Sequence, residues 1–292
     1  MKFKMEEKIE VVITLSKKQK EEIYQLLEDC KRKDFTELDF FMEQEWNELL
    51  DCPCFFLFYR EKQLLCAVSA FIVKREAEIS AVTRFEDRRK GLFSKVMKET
   101  LQVLTRHGIK KVSFRIEDDN DKAKQILEHW KYSKIQMDCF MILLPKKGEK
   151  ENKEEVRCFT PFEIKEKKQE LVEIHCSAFG GTNMESEWIF EENFSEGIEL
   201  WGYWIENRVI GLCFVSTIEQ GYYLSAISIC KREQGKGYGK RFLKELLRQL
   251  WKQEKKTVFL QVSGENTVAM NLYEKLGFSV KQRLLTYQMI FK

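Results

Sequence analysis

The run Gln234-Gly235-Lys236-Gly237-Tyr238-Gly239-Lys240 sets three glycines at alternate positions and carries two lysines. Glycine lets a backbone turn tightly and come close to a ligand. The run follows an apolar stretch of β-type composition, Tyr222 to Ile229, and precedes a helical pattern, Arg241 to Trp251. A helix start offers unpaired N–H groups and the positive end of the helix dipole. Strand, glycine turn and helix start in direct succession form a place for phosphate. The same run also reads as a plain turn that holds nothing, so its context has to decide.

The chain has 292 residues, 43% apolar and 33% charged, an ordinary globular balance that suits two domains. Its 50 basic and 47 acidic side chains leave a net charge of +3. No large electrostatic footprint for nucleic acid is visible, and none is expected as a partner. The nine cysteines form no CxxC, and His107, His129 and His175 are far apart. No metal site is therefore expected, and reduced thiols point to a cytoplasmic protein. Met1 to Lys8 is charged with no long apolar core after it, so no signal peptide is expected. No apolar run reaches the length of about 18 residues that a membrane helix needs.

The first half reads as a strand (Ile9–Leu15), a helix capped by Ser16 (Lys17–Lys31) and a second helix over 37–50. Strands follow at 55–59, 64–73 and 78–83, then a helix (94–107, with Gly108 as its stop), a strand (111–116), a helix (120–130) and a closing strand pair over 132–144. Lys146 to Glu155 has eight charged residues of ten and reads as a solvated linker. The order then restarts: a strand at 156–159, a helix over 164–179, a loop-helix region over 182–197 and strands at 198–205 and 209–218. The opening strand and glycine run come next, then a strand (257–262), a helix (266–275) and a closing strand pair from Phe278. A shift of 146 residues superposes the two passes, with 13 identities in the 49 positions from 88 to 136. This is a duplicated domain.

Two patterns carry a resemblance. Gln234, Gly237 and Gly239 complete a Q/R-x-x-G-x-G/A motif after the fourth strand. Asn266, Ala269, Tyr273, Gly277 and Phe278 complete an N-x-x-A-x-x-x-Y-x-x-x-G-F pattern 32 residues further on. Here the chain resembles the GCN5-related N-acetyltransferase (GNAT) superfamily, twice over and along nearly its whole length. The resemblance implies an α/β fold of the α+β type: two tandem domains, each a mixed, mostly antiparallel twisted sheet flanked by helices. It divides the chain into a degenerate domain (1–145), the linker (146–155) and a domain with complete acyl-CoA motifs (156–292). It implies an N-acetyltransferase that moves an acetyl group from acetyl-CoA to a small-molecule or peptide amine.

By this resemblance Ile227, Ile229, Gln234, Gly235, Lys236, Gly237, Tyr238, Gly239, Lys240 and Asn266 bind acetyl-CoA. The loop N–H groups take its pyrophosphate, and the edge of the fourth strand pairs with its pantetheine arm. Tyr273 matches the family's proton donor to the leaving thiolate. A backbone N–H near Ile229 would meet the oxyanion. The base stays open: Glu219, in the turn between the third and fourth strands, and His175 are candidates, and each also reads as a structural residue. Trp188, Trp201, Tyr203 and Trp204 read either as an acceptor lining or as core. The first half departs from both patterns. Arg88 and Gly91 match, but Phe93 stands for Gly239, Leu127 for Tyr273, and Lys131-Tyr132 for Gly277-Phe278. Two alternatives remain: a non-catalytic acyl-CoA-binding protein, and an aminoacyl transferase fed by charged tRNA.

Overall fold

Two-residue turns with left-handed backbone shape both halves. Glu61-Lys62, Lys74-Arg75 and Glu206-Asn207 all hold positive φ, whose twist suits a tight hairpin. In the computed structural model, which describes residues 6–34, 40–146, 155–179, 190 and 198–291, these turns join long antiparallel strands. The chain divides into two compact units, residues 1–136 with 284–292, and 137–283.

The first unit starts with β1 (Glu7–Val12) and α1 (Lys17–Asp34). Ser16 caps α1: Gln19 N donates to Ser16 Oγ (3.3 Å) and Ser16 N to Gln19 Oε1 (2.9 Å), the reciprocal pairing of a capping box. Then come β2 (Phe55–Arg60), β3 (Gln63–Val73), β4 (Glu76–Thr83), α2 (Leu92–Arg106), β5 (Lys111–Glu117) and α3 (Asp121–His129). The strand order is β1-β2-β3-β4-β5-β12, where β12 (Ser279–Ile290) is the last strand of the chain. Only the β4–β5 pair is parallel.

The helix expected over 37–50 does not form in its described part, where Gln44–Trp46 make one 3₁₀ turn; residues 37–39 lie outside the described residues. Strand β3 competes for this segment. Glu48 N donates to Ile72 O (3.0 Å), Asn47 Oδ1 accepts from Ile72 N (2.7 Å) and Asn47 Nδ2 donates to Ala70 O (3.3 Å). Those bonds replace the i→i−4 ladder that a helix would need.

The second unit holds β6 (Ser133–Leu143, from residue 137 on), β7 (Glu155–Cys158), α4 (Pro161–Glu166), α5 (Lys168–Phe179), β8 (Ile198–Ile205), β9 (Arg208–Ile218), β10 (Gly221–Ile229), α6 (Tyr238–Gln253), β11 (Thr257–Ser263) and α7 (Thr267–Leu276). The expected helix over 164–179 is two helices. Thr160 and Glu163 make a capping box ahead of Pro161, and α4 ends at Lys167. Residues 147–154 of the charged linker, and most of the loop-helix region over 182–197, lie outside the described residues.

The strand order here is β7-β8-β9-β10-β11-β6. A Cβ on Gly221 would stand 2.0 Å from the Thr257 carbonyl oxygen, so glycine is needed for β11 to start flush beside β10. One face of the sheet packs under α6 and α7, where Phe242, Leu243, Leu246, Leu247 and Leu250 meet Tyr203, Cys213 and Val215. Each such large apolar side chain gains about 1.5–3 kcal/mol over exposure. On the other face Ile164, Leu171, Val172 and Ile174 of α4 and α5 meet Leu200, Leu212 and Phe214.

The closing segments differ from expectation. Each is one long strand, because neither 133–143 nor 279–290 contains the Gly or Pro of a hairpin turn. β6 pairs with β11, from Asp138↔Ser263 to Leu143↔Val258, and β12 pairs with β5, from Leu284↔Glu117 to Ile290↔Lys111. Limits of 1–145 and 156–292 thus keep each closing strand with the half that encodes it, not with the unit that pairs it.

Candidate functional site

Strands β10 and β11 pair only from Gly221–Leu224 against Thr257–Leu260. Beyond Leu224 they diverge. There the register of β10 on β9 shifts between Ser225 and Ser228, with Ala226 at φ +49°. A non-glycine residue in that region stores about 1–3 kcal/mol of strain, and bulges of this kind re-aim a strand beside functional sites. Ile227 and Ile229 leave the bulge against the core under α6 and α7 and stay partly exposed.

The glycine run sits at the end of β10. A 3₁₀ turn (Lys231–Glu233) leads to Gln234, whose Nε2 donates to the Ile229 carbonyl (2.9 Å). Gly235 and Gly237 have φ of +76° and +82°. A Cβ on Gly237 would meet nothing within 4 Å, so a side chain there costs backbone strain rather than collision. Tyr238, Gly239 and Lys240 open α6, and its first i→i−4 bond runs from Arg241 N to Gly237 O (3.3 Å). The N–H groups ahead of it have no helical partner. A Cβ on Gly239 would stand 3.4 Å from Leu272 Cδ2 and 3.8 Å from Ile229 Cγ1. The start of α6, the end of β10 and the middle of α7 therefore meet around one glycine.

The charges near the loop are partly committed. Lys236 pairs with Glu233 (3.0 Å), which Arg208 also holds (2.9 Å); Lys236 keeps that carboxyl below its usual range. Lys240 is exposed. The Arg241 guanidinium lies 4.8 Å over the Tyr238 ring, which meets Tyr203 edge-on at 6.0 Å. Asn266 is the N-cap of α7, its Oδ1 accepting from Ala269 N (3.1 Å).

Tyr273 on α7 is 7% exposed, edge-on to Phe278 at 5.8 Å. Burial first, and then Cys213 nearby, push its phenol well above the usual range, so it keeps its proton at neutral pH. Two further residues carry little or no sequence signal. Leu272 floors the site beside Gly239, and the helical spacing of α7 is the only signal for it. Ser228 is 3% exposed in the diverging part of β10, and its hydroxyl has no hydrogen-bond partner; a lone serine in a strand gives no signal.

Other candidates stay apart from this cluster. Glu219 is exposed in the turn at the far end of β10, roughly 30 Å of strand from the glycine run at about 3.3 Å per residue. His175 lies on α5, its ring 4.9 Å from Phe179 and 6.0 Å from Phe190, and burial lowers its pKa. Trp201, Tyr203 and Trp204 are buried core residues, and Trp188 lies outside the described residues.

The first unit repeats the loop backbone without the space. Arg89 (φ +61°) and Gly91 (φ +77°) match Gly235 and Gly237, and Lys131 (φ +63°) matches Gly277. Arg88 Nε donates to the Thr83 carbonyl (3.0 Å), the same contact as Gln234 to Ile229. The rest of its guanidinium is taken by Asp34. At the place of Gly239, the Phe93 ring packs 5.9 Å from Trp130 and 6.4 Å from Phe114. β4 pairs with β3 over eight residues with no register shift.

The order of elements repeats in the two units, each with a glycine at positive φ ahead of a helix, and sequence comparison supplies the family. Residues 20–130 and 168–278 match the model of the acetyltransferase (GNAT) family, and the chain belongs to that family. A GCN5-related N-acetyltransferase from Sphaerobacter thermophilus superposes with a TM-score of 0.73 at 16% identity, covering 97% of this chain and 95% of that one. A tandem GNAT protein from the clavulanic acid biosynthesis pathway superposes with a TM-score of 0.67 at 11% identity, covering 97% and 98%. In sequence, 73 residues are 37% identical to the [ribosomal protein bS18]-alanine N-acetyltransferase of Haemophilus influenzae. That match covers 25% of this chain and 49% of that protein.

Among the described residues no helix is long and apolar enough to cross a membrane.

Proposed function

We propose that the second unit moves an acetyl group from acetyl-CoA to a small-molecule or peptide amine. The observation that carries this is the meeting of Gly239, Ile229 and Leu272 at the mouth of the β10–β11 opening. In this reading the N–H groups from Gly235 to Lys240 hold the pyrophosphate, with Lys236 and Lys240 adding charge. The free edge of β10 at Ile227 and Ile229 pairs with the amides of the pantetheine arm. The amine nitrogen attacks the thioester carbonyl carbon, a C–N bond forms and the C–S bond breaks. The amine loses a proton to a base or a water path, and the leaving sulfur gains one. Tyr273 is the donor we assign, because its buried phenol still holds a proton at neutral pH. Asn266 supports the site by fixing the start of α7.

The first unit, in this reading, keeps the loop but not the groove, since Phe93 fills the position that Gly239 leaves open. It supports the fold and takes no acyl-CoA in this mode. The H. influenzae relative acts on an alanine, so an alanine-bearing peptide belongs beside small amines among the acceptors to be tried.

The test is thiol release from acetyl-CoA across that acceptor set, together with calorimetric acetyl-CoA binding. Tyr273→Phe should lower turnover about 100-fold, a typical value for one proton-transfer group, with affinity for acetyl-CoA unchanged. Tight binding with no turnover on any acceptor would make the chain a non-catalytic acyl-CoA binder. Aminoacyl transfer from charged tRNA with acetyl-CoA inert would replace the proposal altogether.

A further inference from the structure

Ser228 of β10 is 3% exposed, and among the described residues its hydroxyl has no hydrogen-bond partner. A buried hydroxyl left unmet costs stability. The first unit shows that packing does not require one at this place. Ser228 lies directly opposite Leu212 on β9, and Val82 lies directly opposite Ala67 on β3. The next residues, Ile229 and Thr83, offer the carbonyls that accept from Gln234 and Arg88 of the two loops. Ser228 and Val82 are therefore equivalent, and Val82 is also 3% exposed. Equal burial takes an apolar side chain in one unit and an unmet hydroxyl in the other.

The surroundings of Ser228 point to a ligand. It lies beyond Leu224, where the pairing of β10 with β11 ends, and at the close of the bulge that begins at Ser225. β4 has no such register shift on β3. Directly opposed residues share a face, so Ser228 lies with Leu212 on the α5 side, where Ala226 and Cys230 also pack. Its neighbours Ile227 and Ile229 belong to the α6–α7 side, and so does Tyr273. The proposed proton donor and the unmet hydroxyl thus lie on opposite faces of the sheet.

We infer that the acceptor amine meets the thioester from the α5 side and that Ser228 orients it, its Oγ accepting one N–H hydrogen bond. This rests on the acyl-transfer reading of the second unit and assigns a residue to its acceptor side. The arrangement keeps the entering nitrogen and the donor to the leaving sulfur out of each other's space. A primary amine suits it. The nitrogen lone pair forms the C–N bond, one N–H stays on Ser228, and the other hydrogen leaves as a proton to water. The C–S pair goes to sulfur, which takes the Tyr273 proton, and water restores the phenol. Ser228 keeps its own proton throughout. A secondary amine has one hydrogen for both tasks. Burial strengthens the contact, because a hydrogen bond counts for more out of water.

The experiment follows thiol release from acetyl-CoA by the full chain with L-alaninamide and benzylamine, each beside its N-methyl derivative, and measures acetyl-CoA binding by calorimetry. Ser228→Ala should lower kcat/KM for the primary amines about tenfold, the upper range for one neutral hydrogen bond. It should narrow the preference for each primary amine over its N-methyl derivative and leave acetyl-CoA affinity unchanged. Ser228→Thr, which has the outline of Val82 with the hydroxyl kept, should retain both rate and preference. Ser228→Val should melt no lower than the wild-type chain, since it removes an unmet hydroxyl, and should share the loss of rate. Turnover that Ser228→Ala leaves unchanged, a preference that it leaves unchanged, or a Ser228→Thr loss as deep as that of Ser228→Ala would each overturn the inference while acyl transfer stands. Acetyl-CoA binding with no thiol release on any amine would remove the acyl-transfer reading and this inference with it.

Discussion

The repeat supplies a matched pair of glycines for separating strain from function. Gly91 and Gly237 have φ of +77° and +82°, and a Cβ on either would meet nothing within 4 Å. Each begins a helix. Alanine at either site therefore carries the same penalty, about 1–2 kcal/mol for left-handed backbone. Thermal melts of Gly91→Ala and Gly237→Ala should fall alike, by about 2–4 °C per kcal/mol for a unit of this size. Acetyl-CoA affinity should separate them. If the alanine loop relaxes, binding has to restore the left-handed turn, and the same 1–2 kcal/mol appears as about 5–30-fold weaker binding. Only Gly237→Ala should show that loss, because in the proposed function the first unit, with Phe93 at the place of Gly239, takes no acyl-CoA. Isothermal titration with acetyl-CoA reads both variants. Equal loss of affinity in the two, or none in Gly237→Ala despite its lower melting point, would refute the reasoning.

Three further outcomes are expected. Asn266→Ala and Asn120→Ala each remove a side chain that accepts from the N3 amide, and each should cost about 1 kcal/mol in a denaturant melt. Burial pushes the thiols of Cys52, Cys54 and Cys66 up to about 11, 12 and 12. A thiol reagent at pH 8 should therefore leave them unmodified in the native chain and react with them only after unfolding. Burial also raises the phenols of Tyr59, Tyr132 and Tyr273. Groups raised in the folded state favour folding below their unfolded pKa and lose that contribution as pH climbs through the folded value. Alkaline unfolding should then set in above about pH 10, and Tyr273→Phe should flatten it, as followed by tyrosinate absorbance.

The glycine run, the helix cap at Ser16 and the repeat were legible because each depends on local chemistry. Gly237 announces a left-handed turn, and Ser16 just before a helical pattern announces a cap. The Ala226 bulge was not legible, since Ser225-Ala226-Ile227-Ser228 is an ordinary strand sequence and only its pairing with β9 forces the extra residue. The segment around Asn47 reads as a helix because its apolar spacing is helical, yet the open end of β3 offers it better partners. The exchange of closing strands was hidden for the same reason, because strand sequence specifies a face but not a neighbour. The place of Phe93 in the degenerate loop was readable, but the Phe114 and Trp130 rings that it packs against were not.

In the proposed function one unit of the two carries the acyl donor. A crystal structure of the full chain soaked with acetyl-CoA tests it most directly. The pyrophosphate is expected on the N–H groups of Gly235 to Gly239, the thioester between β10 and β11, and the Phe93 ring unmoved. Acetyl-CoA at Arg88 to Phe93, with the second loop empty, would contradict it.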